Sequence, residues 1–217
     1  MINKILETVF PVATVRYRAY RLLIGNKNSF LYSSGWIKSL QTRKPLDAAG
    51  MPVPWMNYGV IKLLDERLHA NMNLFEYGSG FSTLFYASRV RSVTSTEHDK
   101  TWVDSITEKL PSNARIILRA DDEDGEYCRT ISTTGQRYDV VVIDGRDRVN
   151  CVRQSIPYLT ATGVILLDDS DREEYSSGFN ILKTAGFKCL SIDGLKPRGG
   201  DGYRTTIFYK ENNCLGL

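Results

Sequence analysis

From Asn73 onward, the chain alternates short apolar runs with longer stretches of helical periodicity. The apolar runs, each of strand length, occupy 74–77, 92–97, 115–119, 139–144 and 164–168, and the helical patterns occupy 82–89, 101–109, 149–159 and 173–185. This alternation is typical of βαβ units, in which parallel strands form one sheet with helices on its faces. The run VVVI is apolar at every position, which predicts a strand buried on both faces. The sequence therefore predicts an α/β fold with a doubly wound, Rossmann-like sheet.

The C-terminal end of the chain breaks this alternation. The runs FKCLSIDGL and YRTTIFYK are separated only by KPRGGDG, which is too short to contain a crossover helix. We expect a closing β-hairpin that places one antiparallel strand in an otherwise parallel sheet. Upstream of the alternation, a helix is predicted over 58–69 and a polar, turn-rich arm over 25–54.

Length and composition predict a two-part organisation. The 217 residues, 42% of them hydrophobic, fit one compact domain, which we place at 58–217, after an extension at 1–57 that covers the site or forms a dimer. Segment 2–24 is amphipathic, and we expect it to pack on the domain or on a second subunit as a homodimer. A helix lying on a membrane surface is the alternative.

Composition also narrows the class of protein. No signal peptide is evident, and no apolar run approaches the roughly 20 residues that span a bilayer, so we expect no stable membrane insertion. Four cysteines without a CxxC pair predict reduced thiols and a cytoplasmic protein. The net charge of +3 is mild and no surface for stacking bases is evident, so we expect no nucleic-acid partner.

The stretch NLFEYGSGFSTLFYASRV, residues 73–90, places an acid and two glycines between a strand and a helix. Such a turn brings backbone N–H groups and a helix N-terminus close to a ligand. The dinucleotide fingerprint requires a third glycine or alanine where Thr83 stands, which counts against NAD. The next strand ends at Glu97, about 20 residues further on, where a carboxylate can bind ribose hydroxyls. A strand-to-helix turn without a ligand is the alternative.

At FEYGSG and Glu97 the sequence resembles the class I S-adenosylmethionine-dependent methyltransferases, and the resemblance covers 73–210. It implies S-adenosylmethionine as cofactor, with the ribose near Glu97 and His98 and the adenine amino group near Asp121 or its neighbour Asp122. The residues implied around the methionine portion are Glu76, Gly78, Ser79, Gly80, Ser82 and Thr83. Glu76 suits the cationic sulfonium and ammonium groups of this cofactor, whereas it would repel a pyrophosphate.

Three aspartates follow two neighbouring strands of the predicted sheet. Asp144 ends the fourth strand, and Asp168 and Asp169 end the fifth, so we expect their carboxylates to converge at the carboxyl edge. Oxygen-only ligands favour Mg²⁺ or a similar divalent cation, which would orient a substrate hydroxyl. The alternative is that acids here only cap the next helix, where SDRE predicts a capping box from Ser170 to Glu173.

The same pattern resembles metal-dependent small-molecule O-methyltransferases of the catechol, caffeoyl-CoA and macrocin types. This sequence departs from them after Asp144, because the first two have a lysine where Asp147 stands and the third has an acid where Arg146 stands. Asp144 and Asp147 are the catalytic candidates, with Asp147 as general base and His98 as the alternative base.

The predicted acceptor of the methyl group is a small molecule or a saccharide. The loops at the carboxyl edge carry five basic residues, which favour an anionic acceptor or else pair with neighbouring acids: Arg146, Arg148, Arg172, Lys196 and Arg198. Trp55 and Tyr58 resemble the PW…Y arm of small bacterial methyltransferases from polysaccharide and secondary-metabolite clusters, or else anchor a turn. DGRD replaces the Asn/Asp-Pro-Pro-aromatic motif of amine and nucleic-acid methyltransferases, which favours oxygen.

The sequence thus predicts S-adenosylmethionine-dependent O-methylation, with Trp55, Tyr58, Arg146 and Arg198 as acceptor-binding candidates. Two alternatives belong to other classes of protein. One is an NAD-linked oxidoreductase, and the other is a catalytically silent nucleotide-binding or scaffold subunit.

Overall fold

A computed structural model of the protein describes residues 11–217. Within this range the strands are β1 (Asn73–Tyr77), β2 (Ser92–Glu97), β3 (Ala114–Leu118), β4 (Tyr138–Ile143), β5 (Leu159–Asp168), β6 (Lys188–Gly194) and β7 (Tyr203–Tyr209). The α-helices are α1 (Pro11–Leu23), α2 (Phe30–Ser33), α3 (Trp36–Thr42), α4 (Tyr58–Arg67), α5 (Phe81–Ala87), α6 (Lys100–Thr107), α7 (Glu126–Arg129), α8 (Arg148–Ser155) and α9 (Ser176–Thr184). Turns of 3₁₀-helix occupy Thr130–Thr134, Ile156–Tyr158 and Glu173–Tyr175.

The described strands form one sheet in the order β3-β2-β1-β4-β5-β7-β6. Strands β1 to β5 are parallel to one another, whereas β7 is antiparallel to both β5 and β6. The predicted α/β class and the single antiparallel strand from the closing hairpin are therefore confirmed. The sheet order reverses beside β1, and the carboxyl ends of β1 and β4 flank that point, where open α/β sheets bind ligands.

Alternate residues of the central strands pack into two hydrophobic cores, one on each face of the sheet. On one face Leu74 and Val142 pack with α4 and α5, and on the other Phe75 and Val141 pack with α8 and α9. All four residues of the VVVI run are fully buried, because β4 is covered on both faces. The prediction for this strand is confirmed.

Two helix boundaries differ from the predicted ones by three residues or more. The helix predicted over 149–159 ends at Ser155, because Pro157 has no N–H for the helical ladder, and a 3₁₀ turn follows. The helix predicted over 173–185 begins at Ser176 after another 3₁₀ turn. The capping box predicted from Ser170 to Glu173 is wrong, because the Ser170 hydroxyl lies 2.8 Å from the Thr206 hydroxyl of β7 instead.

The arm predicted over 25–54 contains two short helices, α2 and α3, and is tied to the hairpin loop between β6 and β7. The indole N–H of Trp36 donates to the carbonyl of Gly199 at 2.8 Å. The amphipathic segment predicted over 2–24 lies partly outside the described residues. Its described part, α1, has no buried residue, so packing on the domain is not observed there. Among the described helices, none is both long and apolar enough to cross a membrane.

Candidate active site

A cavity of about 290 Å³ lies at the carboxyl edge of β1, β2 and β4. Its lining includes Glu76, Ser79, Glu97, His98 and Asp144, which the sequence analysis had placed at this edge. They meet because parallel strands end together and because the glycine turn after β1 leaves room above the sheet.

The glycine turn after β1 needs glycine for two separate reasons. Gly78 has a φ of 97°, which L side chains rarely adopt, and a Cβ there would lie 3.2 Å from the carbonyl oxygen of Asp144. A Cβ on Gly80 would lie 3.2 Å from the ring of Trp102, whose indole N–H donates to the Ser79 carbonyl at 2.8 Å. Trp102 of α6 therefore covers the turn, a role that the sequence analysis missed.

Glu76 is a buried acid, 1% exposed, that faces three hydroxyl groups. Its carboxylate accepts hydrogen bonds from Thr83 at 2.7 Å, from Ser95 at 2.8 Å, and from Ser82. Burial raises the pKa of Glu76 to about 7, although these hydroxyls oppose the rise. The hydroxyl oxygen of Thr83 also accepts the backbone N–H of Gly80 at 2.9 Å, so Thr83 links the acid to the turn.

Glu97 ends β2 and is held by the turn of β1 on one side and by its own chain on the other. Oε2 accepts the backbone N–H of Ser79 at 2.9 Å, and Oε1 accepts the N–H groups of His98 at 2.8 Å and Asp99 at 3.1 Å. The Nδ1 atom of His98 lies 2.8 Å from Oε1 of Glu97. The predicted ribose acid therefore lies in a fixed orientation on the cavity wall.

The two aspartates predicted for the adenine side have different surroundings. Asp122 is half-buried and accepts the N–H groups of Tyr127 at 3.0 Å and Glu126 at 2.8 Å, which lowers its pKa and caps α7. Asp121 lies 3.4 Å from Nε of Arg146, and that guanidinium lines the first cavity. Of the two, Asp121 has the placement that fits the adenine side.

Asp147, the predicted general base, precedes α8 with a φ of 45°. Its oxygens accept the N–H of Asp124 at 2.9 Å and the side-chain amide of Asn150 at 2.9 Å. These bonds direct the carboxylate toward the Asp124 loop and not into the first cavity. In this structure Asp147 orders a loop, and Asp144 is the aspartate that lines the cavity.

The predicted metal ligands Asp144, Asp168 and Asp169 are brought together, with one oxygen of each within 4.8 Å of the others. Two buried cations lie among them. The Lys196 ammonium lies 2.7 Å from Oδ2 of Asp168 and also contacts Asp169, and the Arg148 guanidinium lies 3.1 Å from Oδ1 of Asp144. Burial alone would lower the pKa of Lys196, but the carboxylates of Asp168 and Asp144 raise it.

Burial, followed by the charge of Asp168, raises the pKa of Asp144 well above the usual range of aspartate. Three of the five loop cations predicted for an anionic acceptor instead pair with this cluster: Arg148, Arg172 and Lys196. For these three residues the structure shows the alternative, pairing with neighbouring acids, because the carboxyl edge brings cations and aspartates into direct contact. Arg198 and Arg146 remain outside the aspartate cluster.

A second cavity of about 450 Å³ shares Ser79, Ser82 and Asp144 with the first. Its other walls come from the arm and from α5 and α6, and they include Arg43, Lys44, Trp55, Phe81 and Trp102. The arm therefore lies over the glycine turn. The sequence analysis did not identify Arg43 or Lys44, since their position depends on how the arm folds back.

Trp55 and Tyr58, the two predicted acceptor residues that follow the arm, are separated in the structure. Trp55 is 44% exposed, and the centre of its ring lies 5.2 Å from the guanidinium carbon of Arg198. A guanidinium N–H of Arg198 also donates to the carbonyl of Arg43 at 3.2 Å. Tyr58 is buried at the start of α4, against Phe30, and lines neither of these two cavities. The structure thus groups Trp55 with Arg198 and places Tyr58 elsewhere.

Comparison with solved structures connects this geometry to known folds. The chain resembles a precorrin-6y C5,15-methyltransferase from Geobacter metallireducens, with a TM-score of 0.51 and 13% identity over 70% of this chain and 87% of that one. It also resembles a putative methyltransferase from Streptococcus mutans in complex with SAH, with a TM-score of 0.51 and 13% identity over 68% and 94%. The chain has the class I methyltransferase fold.

A third protein of this fold is an rRNA methylase from Streptococcus thermophilus, with a TM-score of 0.51 and 12% identity over 69% of this chain and 93% of that one. The acceptors named for these proteins differ, so the methyltransferase fold alone does not indicate an acceptor. No protein-family model and no curated protein matches the sequence.

Proposed function

We propose that the protein is an S-adenosylmethionine-dependent methyltransferase that methylates an oxygen of a small molecule or saccharide. The observation that carries this proposal is the pair of buried acids, Glu76 and Glu97, on the wall of one cavity beside the glycine turn. When bound, S-adenosylmethionine supplies a methyl group on a sulfonium centre. A cation in this cavity is attracted by both acids, whereas a dinucleotide pyrophosphate would be repelled.

The hydrogen bonds within the site support the assignment of a different part of the cofactor to each acid. Glu97 is oriented by backbone N–H groups, which suits a carboxylate that accepts hydrogen bonds from ribose hydroxyls. Glu76 is surrounded by hydroxyls and not by a cationic side chain, so the ammonium of a bound ligand would be its counter-ion. Asp121 and the guanidinium of Arg146 lie at the rim where the adenine would extend.

Asp144 is the residue that joins the two cavities, and we assign it to the acceptor hydroxyl. Among the described residues, the hydrogen bonds and ion pairs of its carboxylate all involve Oδ1, and Oδ2 has no such partner. A raised pKa makes Asp144 a stronger base than an ordinary aspartate. Oδ2 accepts the hydroxyl proton as the methyl group is transferred, and the cavity walls supply proximity and alignment.

The second cavity supports an acceptor with a ring and an anionic group. Its lining includes the exposed residues Trp55 and Trp102 together with Arg43 and Lys44, and the Arg198 guanidinium lies 5.2 Å from the centre of the Trp55 ring. Arginine and lysine favour carboxylate or phosphate, so a uronate or a phosphosugar matches this lining. The absence of an amine-binding motif after β4, where DGRD stands, favours oxygen as the methylated atom.

A calorimetric titration tests the cofactor assignment. We expect S-adenosylmethionine to bind the wild-type protein with micromolar affinity, and Glu97→Ala to weaken binding about tenfold or more, as expected for loss of a charge-assisted hydrogen bond. Glu66→Ala, a change of an exposed acid of α4, is the matched control and should bind as wild type. No binding to wild type, or equal binding of NAD, would reject the proposed function.

Steady-state kinetics with glucuronate, glucose 6-phosphate and neutral glucose test the acceptor. Methylation of the anionic sugars should exceed that of glucose, and Arg198→Ala and Lys44→Ala should raise the KM for the anionic sugars about tenfold. Arg91→Ala, which removes an exposed arginine that lines neither of these cavities, is the control. An unchanged KM in both Arg198→Ala and Lys44→Ala would remove the anionic acceptor and leave the methyltransferase proposal intact.

A further inference from the structure

The aspartate cluster at the ends of β4 and β5 has the spacing of a divalent-cation site. One oxygen from each of Asp144, Asp168 and Asp169 lies within 4.8 Å of the other two. Oxygen ligands in such an arrangement suit Mg²⁺ or Mn²⁺. The metal-dependent O-methyltransferases that this sequence resembles imply such an ion, so the surroundings of the three carboxylates decide whether it fits.

The space among the carboxylates already contains positive charge from the chain itself. The Lys196 ammonium is 2.7 Å from Oδ2 of Asp168 and also contacts Oδ1 of Asp169. The Arg148 guanidinium lies 3.1 Å from Asp144 and 3.8 Å from Asp169. Lys196 is 5% exposed and Arg148 is 9% exposed, and cations buried to this extent require paired anions.

Most of the carboxylate oxygens in the cluster already have a partner. Oδ1 of Asp168 accepts the hydroxyl of Thr205 at 2.5 Å, and Oδ2 of Asp169 accepts a guanidinium N–H of Arg172 at 2.8 Å. Only Oδ2 of Asp144 has no such partner among the described residues. A metal ion would have to displace the ammonium of Lys196 or remain beside it, against its repulsion.

The position of Lys196 is fixed by the fold of the β6–β7 loop. The carbonyl of Lys196 accepts the N–H of Gly199 at 3.0 Å, and the preceding carbonyl of Leu195 accepts the N–H of Tyr58 at 3.0 Å. The Lys196 ammonium also lies 4.7 Å from the centre of the Tyr203 ring. The loop therefore presents the ammonium to the cluster from a defined backbone and not from a freely moving tail.

We infer that Lys196, together with Arg148, is a built-in cation that takes the place of a divalent metal in this carboxylate cluster. The residues present do not fit a bound metal ion, and the site is metal-independent. Lys196 acts as a positioning residue: it neutralises Asp168 and Asp169, so that Arg148 remains directed at Asp144. Only the turnover measurement below rests on the proposed function, because occupancy of the cluster by a cation is measured without any reaction.

The test is a titration of the full-length protein with Mn²⁺ alone. Calorimetry measures the heat of binding, and electron paramagnetic resonance measures the concentration of the free ion. We expect no binding to the cluster in wild type. Lys196→Ala should bind one Mn²⁺ with a Kd at least about tenfold below the weakest Kd that the titration would detect in wild type. Adding Asp168→Asn to that variant should abolish the gain. Lys188→Ala, which frees an exposed carboxylate at Glu211, is the matched control and should gain nothing.

Three results would overturn the inference. The first is Mn²⁺ binding to wild type that Asp168→Asn removes, and this result is informative even where a Lys196 variant does not fold. The second is a folded Lys196→Ala that binds no better than wild type, with Lys196→Ser as the second variant. The third is methyl transfer that excess EDTA abolishes and Mg²⁺ restores. If wild type fails to bind S-adenosylmethionine, the proposed function fails while the Mn²⁺ result still decides this inference.

Discussion

Glu76 makes a quantitative prediction about stability and pH. Burial raises its pKa from 4.5 to about 7, which corresponds to about 3 kcal/mol at 1.36 kcal/mol per pH unit. Between these two values the unfolded chain loses the proton while the folded protein keeps it. The free energy of unfolding is therefore unaffected by Glu76 below pH 4.5, falls as the pH rises toward 7, and is lowered by about 3 kcal/mol above pH 7.

The variant Glu76→Gln removes this titration and keeps the shape of the side chain. It loses one acceptor oxygen toward the hydroxyls of Ser82, Thr83 and Ser95, which costs about 1 kcal/mol. At pH 4.5 the variant should be less stable than wild type by about that amount. At pH 8 it should be more stable by about 2 kcal/mol, because the burial penalty of the charge outweighs the lost hydrogen bond.

Urea denaturation of both proteins from pH 4.5 to 8.5 measures this difference. The two stability curves should cross between pH 5 and pH 7, whereas Glu66→Gln, at an exposed acid, should run parallel to wild type. Parallel curves for Glu76→Gln and wild type would refute the reasoning. The same variant should bind S-adenosylmethionine about 10- to 100-fold more weakly, because it loses a charge-assisted contact. Higher stability with weaker binding is the expected mark of an acid retained for a cationic ligand.

Four further predictions concern the same site and the N-terminus. S-adenosylmethionine affinity, measured by calorimetry, should rise with pH up to about 7 as Glu76 ionises and then level off; an affinity that is flat from pH 5 to 8 contradicts this. Lys196→Met should lower the free energy of unfolding in urea by about 3–5 kcal/mol, because buried carboxylates lose their cation; a change under 1 kcal/mol contradicts the pairing. Gly78→Ala should cost about 1–2 kcal/mol, since its φ of 97° excludes a Cβ; wild-type stability would contradict the strained turn. Removal of residues 1–24 should halve the mass measured by light scattering if the predicted homodimer forms through this segment; an unchanged mass rejects that role.

The sequence predicts the fold and the convergence of Glu76 and Glu97 well, because both follow from local signals. Each central strand is a continuous apolar run, and β1 and β4 lie within a residue of the predicted bounds. Glu76 and Glu97 end strands that are parallel neighbours, so their convergence follows from strand order alone. The departure of Thr83 from the dinucleotide fingerprint also has a structural reason, because its hydroxyl bridges Glu76 and Gly80.

The acceptor side is less predictable because its contacts depend on pairing between distant segments. Lys196 is far from Asp168 in the sequence, and the two meet only because β7 is inserted between β5 and β6. The same antiparallel pairing brings Thr206 to Ser170, which is why the capping box does not form. Arg43 and Lys44 reach the second cavity only because the arm folds back over the glycine turn.

The acids at the two ends of the site have different partners. Within the described chain, Glu76 accepts hydrogen bonds from hydroxyls and Glu97 accepts them from backbone N–H groups, whereas Asp168 and Asp169 are paired with lysine and arginine. A cationic ligand is therefore attracted to the end of the site where negative charge has no lysine or arginine partner. At the other end the protein supplies its own cations. We therefore propose different partners for the two ends: a sulfonium and ammonium compound beside Glu76, and a hydroxyl group, without a metal ion, beside Asp144.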